Sequence, residues 1–307
     1  MIAFLFPGQG SQTVGMGRSF YEVSPAAKAI FEEANDALGF DLAKLAFEGP
    51  ESELALTANT QPAVLTASVA AATVCAERGL TPGLAAGHSL GEYSALVVAG
   101  ALRFADAVRV VRKRGEFMQE AVPVGTGAMA AIMGLDLPAV EALCKDAGAG
   151  EVVDIANINS SGQIVVAGHK GAVERAAAAA GKKSVMLPVS APFHSSLMAP
   201  AAERLTGELA SVTVHDPAIP VVRNVDAGVT RTAADVKPYL LRQVASPVRW
   251  TDCVRRLHDE GATAFIEVGP GRVLTGLLRR ILDGVRGHSI EDTAGLEQAL
   301  AALGRSG

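Results

Sequence analysis

Five residues, Gly87-His88-Ser89-Leu90-Gly91, constrain this chain more than any others. A serine with glycine two positions away on either side is the pattern of a nucleophile elbow. This is a sharp strand-to-helix turn that lifts a hydroxyl clear of the backbone. Side chains at the two outer positions would crowd such a turn, and glycine has none. The neighbours fit: an apolar run from Leu84 to Ala86 comes before, and Tyr93, Leu96, Val97 and Gly100 recur at helical spacing after. The spacing predicts a strand, a turn and a helix whose free N–H groups face the serine, with the N–H of Leu90 able to meet an oxyanion. An ordinary serine in a glycine-flanked turn satisfies the same five letters. Catalysis therefore needs a base and a pocket from elsewhere in the chain.

A fold built on an elbow needs a large core. The chain has 307 residues, 49% of them hydrophobic, enough for one large domain or one carrying an insert. Ile2 to Phe6 is apolar throughout, as in a strand buried on both faces. It is too short for a signal peptide, and no apolar run reaches the roughly 18 residues of a membrane span, so no membrane partner is expected. The net charge is −5 and the longest basic run is Arg112-Lys113-Arg114, which leaves no footprint for nucleic acid. The three cysteines, Cys75, Cys144 and Cys253, form no C-x-x-C pair. That excludes a disulfide framework and a cysteine-built zinc site, suits a reducing cytoplasm, and leaves no metal site expected. Gly8 and Gly10 share part of the dinucleotide-binding spacing, but the third glycine and the βαβ unit are missing. Such a loop can instead offer a backbone N–H to a ligand.

Taken in order, residues 18–60 read as short helices and Pro62 to Gly79 as a buried, alanine-rich helix. From Gly127 the pattern changes. Strands are expected at Ala128 to Met133, Val152 to Ile158, Gln163 to Ala167 and Ser184 to Val189, with helices at Leu137 to Ala147 and Ala172 to Ala180. The order β-α-β-β-α-β is that of a ferredoxin-like unit. Pro220 to Val225 and Thr263 to Val268 then read as strands, and Ala233 to Val244, Trp250 to Gly261 and Val273 to Leu282 as helices. The expectation is an α/β protein. Residues 1–124 and 190–307 would form an α/β-hydrolase-like catalytic domain around a central, mainly parallel sheet. Residues 125–189 would form an inserted ferredoxin-like α+β subdomain.

Two residues stand out against this frame. At about 100° per residue, Phe104, Val108, Val111, Phe117 and Met118 share one half of a helix from Phe104 to Val122, and Arg114 falls among them. A guanidinium on an apolar face must have a partner, either a structural residue or a carboxylate ligand. The other is His194, alone among the six histidines in following a strand and lying between apolar residues in a mouth loop. A serine needing a base makes it the candidate. No Asp or Glu lies cleanly between Ser89 and His194 in the chain order of an α/β-hydrolase triad, and Glu267 ends a strand where carboxylates often cap loops. The pattern points to a Ser-His pair oriented by something other than a carboxylate.

From end to end the chain resembles the malonyl-CoA:acyl carrier protein transacylases of type II fatty acid synthesis. The resemblance is carried by Phe6-Pro-Gly-Gln-Gly-Ser-Gln-Thr-Val-Gly-Met16, Gly87-His-Ser-Leu-Gly-Glu-Tyr-Ser94 and Arg114-Gly-Glu-Phe-Met-Gln119. Asn157 through Ala167, Ala191-Pro-Phe-His194, Gln243 with Ser246-Pro-Val-Arg-Trp250, and Glu267-Val-Gly-Pro-Gly271 complete it. It implies Ser89 as nucleophile, His194 as base, Gln9 and Leu90 as oxyanion-hole N–H donors, and the Gln243 carbonyl as the histidine's anchor. Arg114 would bind the malonyl carboxylate, and Gln9, Asn157, Asn159 and Phe193 would complete the substrate site. Malonyl-CoA and holo-acyl carrier protein would be the partners, in a ping-pong reaction on a cytoplasmic monomer without a cofactor. A polyketide acyltransferase, a serine thioesterase or hydrolase, and a non-catalytic scaffold are the other readings. Carrier proteins of the family are acidic, so docking calls for a local basic patch, with Arg272, Arg279, Arg280, Lys182 and Lys183 as candidates.

Overall fold

A computed structural model describes residues 1–189 and 191–304. Residue 190, where the large domain is expected to resume, lies outside them. The first half of the chain runs β1 (Ile2–Phe6), α1 (Arg18–Val23), α2 (Pro25–Leu38), α3 (Leu42–Glu48), α4 (Glu51–Leu54), α5 (Thr57–Glu77), β2 (Leu84–Gly87), α6 (Gly91–Val98) and α7 (Phe104–Glu120). Next come β3 (Gly127–Met133), α8 (Leu137–Gly148), β4 (Val153–Ser160), β5 (Gln163–His169), α9 (Lys170–Ala180) and β6 (Ser184–Met186). The chain closes with α10 (Ala199–Ala210), β7 (Val221–Val222), β8 (Val229–Thr230), α11 (Ala233–Val244), α12 (Trp250–Asp259), β9 (Ala264–Val268), α13 (Val273–Ile281), β10 (Gly287–Ile290) and α14 (Thr293–Ala302). Among the described residues no helix is long and apolar enough to cross a membrane.

The strands make two sheets. The larger is ordered β10-β9-β1-β2-β7-β8 and is parallel except for β8 at one edge. Successive side chains of a strand point to opposite faces. Accordingly Phe4 and Phe6 enter the core shared with α2, α5 and α7, while Ala3 and Leu5 enter the one built on Trp250, Phe265 and Leu278. Phe6 of β1 pairs with Gly87 of β2, so the loops after both strands leave the sheet side by side. That crevice at the carboxyl ends of parallel strands is where open α/β sheets bind ligands.

The smaller sheet is antiparallel, ordered β4-β5-β3-β6. One face packs on α8 and α9; the other, with Met129, Ala131 and Val165, packs against Leu187, Val189 and Phe193. Strand β4 stitches the two units together. Ile158 N–H donates to Val248 O and Val248 N–H to Ala156 O, each at 2.9 Å. Asp154 Oδ2 accepts from the N–H and the hydroxyl of Ser196 at 2.8 and 2.7 Å.

Several boundaries depart from the sequence expectation. Helix α5 starts at Thr57 rather than Pro62. Proline favours a helix's first turn, but here Asn59 Nδ2 and Thr60 Oγ1 hydrogen-bond the carbonyls of Glu53 and Leu54 and fix an earlier start. The strand expected from Ser184 to Val189 ends at Met186, before Pro188, which has no N–H for a ladder. The one expected from Pro220 to Val225 keeps only Val221 and Val222. The edge strand β10 and the helix α14 have no counterpart in the sequence reading.

Candidate active site

The elbow forms as the glycine spacing requires, and the close approach of its backbone shows why. A Cβ on Gly87 would stand 1.8 Å from the carbonyl carbon of Gly91, and one on Gly91 would stand 2.1 Å from Phe6 O. Strand, turn and helix touch through bare backbone. A Cβ on Gly8 would meet His88 O at 2.5 Å, so the glycine loop after β1 also lies directly on the turn. Ser89 itself takes the left-handed conformation, φ 52°, a strained state for a side chain that needs support from its surroundings. Asn224 supplies it. Its Oδ1 accepts from Ser89 N–H at 2.7 Å, and its Nδ2 donates to Gly87 O at 2.7 Å.

His194 stands opposite, also at positive φ (61°) and only 4% exposed. Its Nδ1 lies 2.9 Å from Gln243 O. A carbonyl can only accept, so Nδ1 carries the proton and Nε2 is left with a lone pair. Ser89 Oγ–H donates to that nitrogen at 2.7 Å. Burial first, and the charge of Arg114 second, push the imidazole pKa down to about 3, so the ring is neutral and able to accept a proton at ordinary pH. No carboxylate takes part in this pair. Glu267 lies elsewhere, its carboxylate receiving the N–H groups of Leu274 and Thr275 at the start of α13.

Arg114 is 2% exposed, and its guanidinium projects from α7 towards the serine. Nη1 donates to Gln61 Oε1 at 2.8 Å; Nη2 donates to Ser89 Oγ at 3.1 Å and to Gln243 Oε1 at 2.9 Å. Among the described residues Nε has no hydrogen-bond partner, and Tyr93 presents its ring 5.6 Å from the guanidinium carbon. None of these partners is a carboxylate. Burial lowers the arginine's pKa and Tyr93 and Glu92 oppose that shift. Glu92, on the first turn of α6, is buried and pushed up to about 7, mainly by burial.

These groups meet at a cavity of about 480 Å³ whose wall includes Gln9, His88, Ser89, Leu90, Arg114, Asn157, Phe193 and His194, with Met118, Met129, Leu187 and Val189 as apolar lining. Gln9 Nε2 donates to Thr57 Oγ1 at 3.1 Å. Among the described residues the main-chain N–H groups of Gln9 and Leu90 reach no protein acceptor. Asn157 Oδ1 is buried and likewise has no hydrogen-bond partner among the described residues. Asn159 is not on the wall; its Oδ1 accepts from His88 Nε2 at 2.9 Å, and so it braces the residue beside the serine. Gln243 stands behind Arg114 and His194. Sequence reasoning missed Glu92, Asn224 and Gln61. Glu92 could have been found as Arg114 was, a lone charge in an apolar helix. Asn224 and Gln61 carry no such signal.

Comparison with known proteins gives the family. The chain matches the acyl transferase domain family over residues 3–300. It is 50% identical to the malonyl CoA-acyl carrier protein transacylase of Bacillus subtilis, over 98% of this chain and 97% of that one. The crystal structure of an acyl carrier protein S-malonyltransferase from Vibrio cholerae superposes with a TM-score of 0.94 at 48% identity, covering 97% of this chain and 99% of the other. A malonyl-transacylase solved in complex with its type II PKS acyl-carrier protein does so at 0.94 and 47%, covering 98% and 99%. The chain belongs to the acyl transferase domain family, among its malonyl CoA-acyl carrier protein transacylases.

Proposed function

We propose that this chain transfers the malonyl group of malonyl-CoA to the phosphopantetheine thiol of acyl carrier protein, through an ester on Ser89. The supporting observation is the buried Arg114 guanidinium, 3.1 Å from Ser89 Oγ and paired with no carboxylate among the described residues. Ser89 Oγ attacks the thioester carbonyl as its proton passes to His194 Nε2. The N–H groups of Gln9 and Leu90 receive the oxyanion. Collapse breaks the carbon–sulfur bond, and the departing CoA sulfur takes the proton from His194. In the second half the phosphopantetheine thiol gives its proton to His194 and attacks the ester carbonyl. Collapse then returns both oxygen and proton to Ser89. One cavity serves acyl donor and acceptor in turn, hence a ping-pong order.

A malonyl ester puts its free carboxylate three bonds from Oγ, against the guanidinium. A charge-assisted pair in a desolvated pocket favours malonyl over acetyl. Asn157 and Phe193 complete the acyl and pantetheine wall, and Asn159 acts through His88. The β3-α8-β4-β5-α9-β6 order, with its antiparallel sheet, supports a ferredoxin-like subdomain over 125–189. The elbow on a parallel sheet supports an α/β-hydrolase-like remainder. The enzyme works in the cytoplasm as a monomer, with no metal or cofactor, and supplies extender units for fatty acid synthesis. The relative solved with a polyketide carrier protein favours a second setting, and kinetics with carrier proteins of each pathway separate the two. Mass spectrometry after mixing with malonyl-CoA tests the chemistry. A malonyl adduct should appear on Ser89 and be absent from Ser89→Ala. Free malonate released as fast as carrier protein is loaded would instead indicate a hydrolase.

A further inference from the structure

Glu92 is the second charged side chain sealed beside the site, 2% exposed, yet it is not part of the cavity wall. Its Oε2 accepts from Asn224 N–H at 3.0 Å and from Gln243 Nε2 at 2.8 Å, the shortest of that nitrogen's bonds, Ser89 O accepting from it at 3.0 Å. The same amide faces Arg114 with its other end: Gln243 Oε1 accepts from Nη2 at 2.9 Å. A glutamine side chain offers donors at one end and an acceptor at the other, and a half-turn exchanges them. A carboxylate only accepts and a guanidinium only donates, so between these two neighbours a single orientation satisfies both ends. The flipped amide would set oxygen against oxygen at Glu92 and N–H against N–H at Arg114, inside a site where unpaired polar groups are costly.

We propose that Glu92 is a positioning residue for the acyl carboxylate: by fixing the Gln243 amide it holds Arg114 beside Ser89. The inference rests on the transacylase reading above. The role needs only an accepting oxygen. Burial raises the Glu92 pKa to about 7; with a proton on Oε1, Oε2 still accepts from Asn224 N–H and Gln243 Nε2, and Arg114, which only donates, still excludes the flipped amide. Gln243 thus serves both reacting groups, orienting His194 through its backbone carbonyl and Arg114 through its side chain.

The test is the ratio of malonyl to acetyl adduct formed on Ser89, read by mass spectrometry at matched CoA-ester concentrations. Glu92→Met, similar in size but without the acceptor, should lower the malonyl/acetyl ratio about tenfold, the scale of one lost hydrogen bond to a charged group. The loss should appear mainly as a raised KM for malonyl-CoA. Glu92→Asp, one methylene too short to reach Gln243, should do the same and stands in if the methionine variant does not fold. Glu92→Gln keeps an acceptor and should stay within about threefold of wild type. Pairing Glu92→Met with Gln243→Leu should cost no more than the worse single variant, because the two act through one amide. An unchanged ratio in the Met or Asp variant, a failed Gln rescue, or additive losses would overturn the proposal. Wild-type protein that forms no malonyl adduct at all would sink the transacylase reading instead.

Discussion

Ser89, His194 and Arg114 each break a local rule, two by left-handed backbone and one by burying a guanidinium on an apolar helix face. Arg114 has two separable effects. It offers a site for a carboxylate, and its charge helps hold the His194 pKa down. Arg114→Ala should therefore cost malonyl transfer about 2–5 kcal/mol, the range for truncating one partner of a buried charge pair, while acetyl-CoA becomes a comparable or better donor. The sign for pH follows from the same charge. The base is lost as pH falls through the pKa of His194 in the free enzyme, about 3 in wild type. Removing the cation raises that value, so the acid limb of kcat/KM in Arg114→Ala should move up towards the ordinary imidazole range. CoA release from both esters across about pH 4 to 8 measures it. Equal losses on both acyl groups with an unmoved limb would make Arg114 structural. Arg114 was legible in the sequence because a charge on an apolar helix face is a visible contradiction. Ser89 was legible because its glycines record a steric need. Asn224 and Gln61 were not, because a buried amide reads like an exposed one until the fold supplies its partners.

Elements were legible where hydrophobic periodicity ran long, as in α7 and α11, and where a strand was buried on both faces, as in β1 and β9. Legibility failed where tertiary contacts decide: the early start of α5, the truncated β6 and β7, and β10, a short polar edge strand with no alternation to read. The glycines show the difference between a turn letter and a packing need. Gly91→Ala would force a Cβ to 2.1 Å from Phe6 O and 2.8 Å from Pro7 O, backbone atoms that cannot rotate aside. It should destabilise by about 3 kcal/mol or more. Gly276, in α13, is exposed, and a Cβ there would meet nothing within 4 Å, so Gly276→Ala should stabilise by about 0.5–1 kcal/mol. Urea midpoints measure both. Similar shifts in the two variants would mean that the packing of β1 on α6 tolerates a methyl.

Over the whole molecule, strand polarity sorts the basic residues. All strands of the large sheet but β8 are parallel, so the crossover helix α13 between β9 and β10 runs away from the edge that carries Ser89. It sets Arg279 and Arg280 at the opposite edge, and Arg272 is ion-paired with Glu291. Lys182 and Lys183 instead precede β6, whose continuation through Leu187 and Val189 lines the cavity. With a net charge of −5, an acidic partner needs such a local patch. Reversing Lys182 and Lys183 to Glu should lower kcat/KM for carrier protein and blunt its salt dependence, leaving acylation by malonyl-CoA almost untouched. The same reversal at Arg279 and Arg280 should change neither half-reaction, and the opposite pattern would move the docking site to α13. The seam along β4 sets the mechanics of the cycle. With Ile158 and Val248 joined through their main chains, Asp154 clasping Ser196 and Asn159 holding His88, the small unit is joined to the large one by residues adjoining Asn157, His88 and His194 of the pocket wall. Swinging it open would dismantle the site. If the seam holds through the cycle, the cavity is a slot of one shape, and the part that moves is the flexible thiol arm its substrates bring to it.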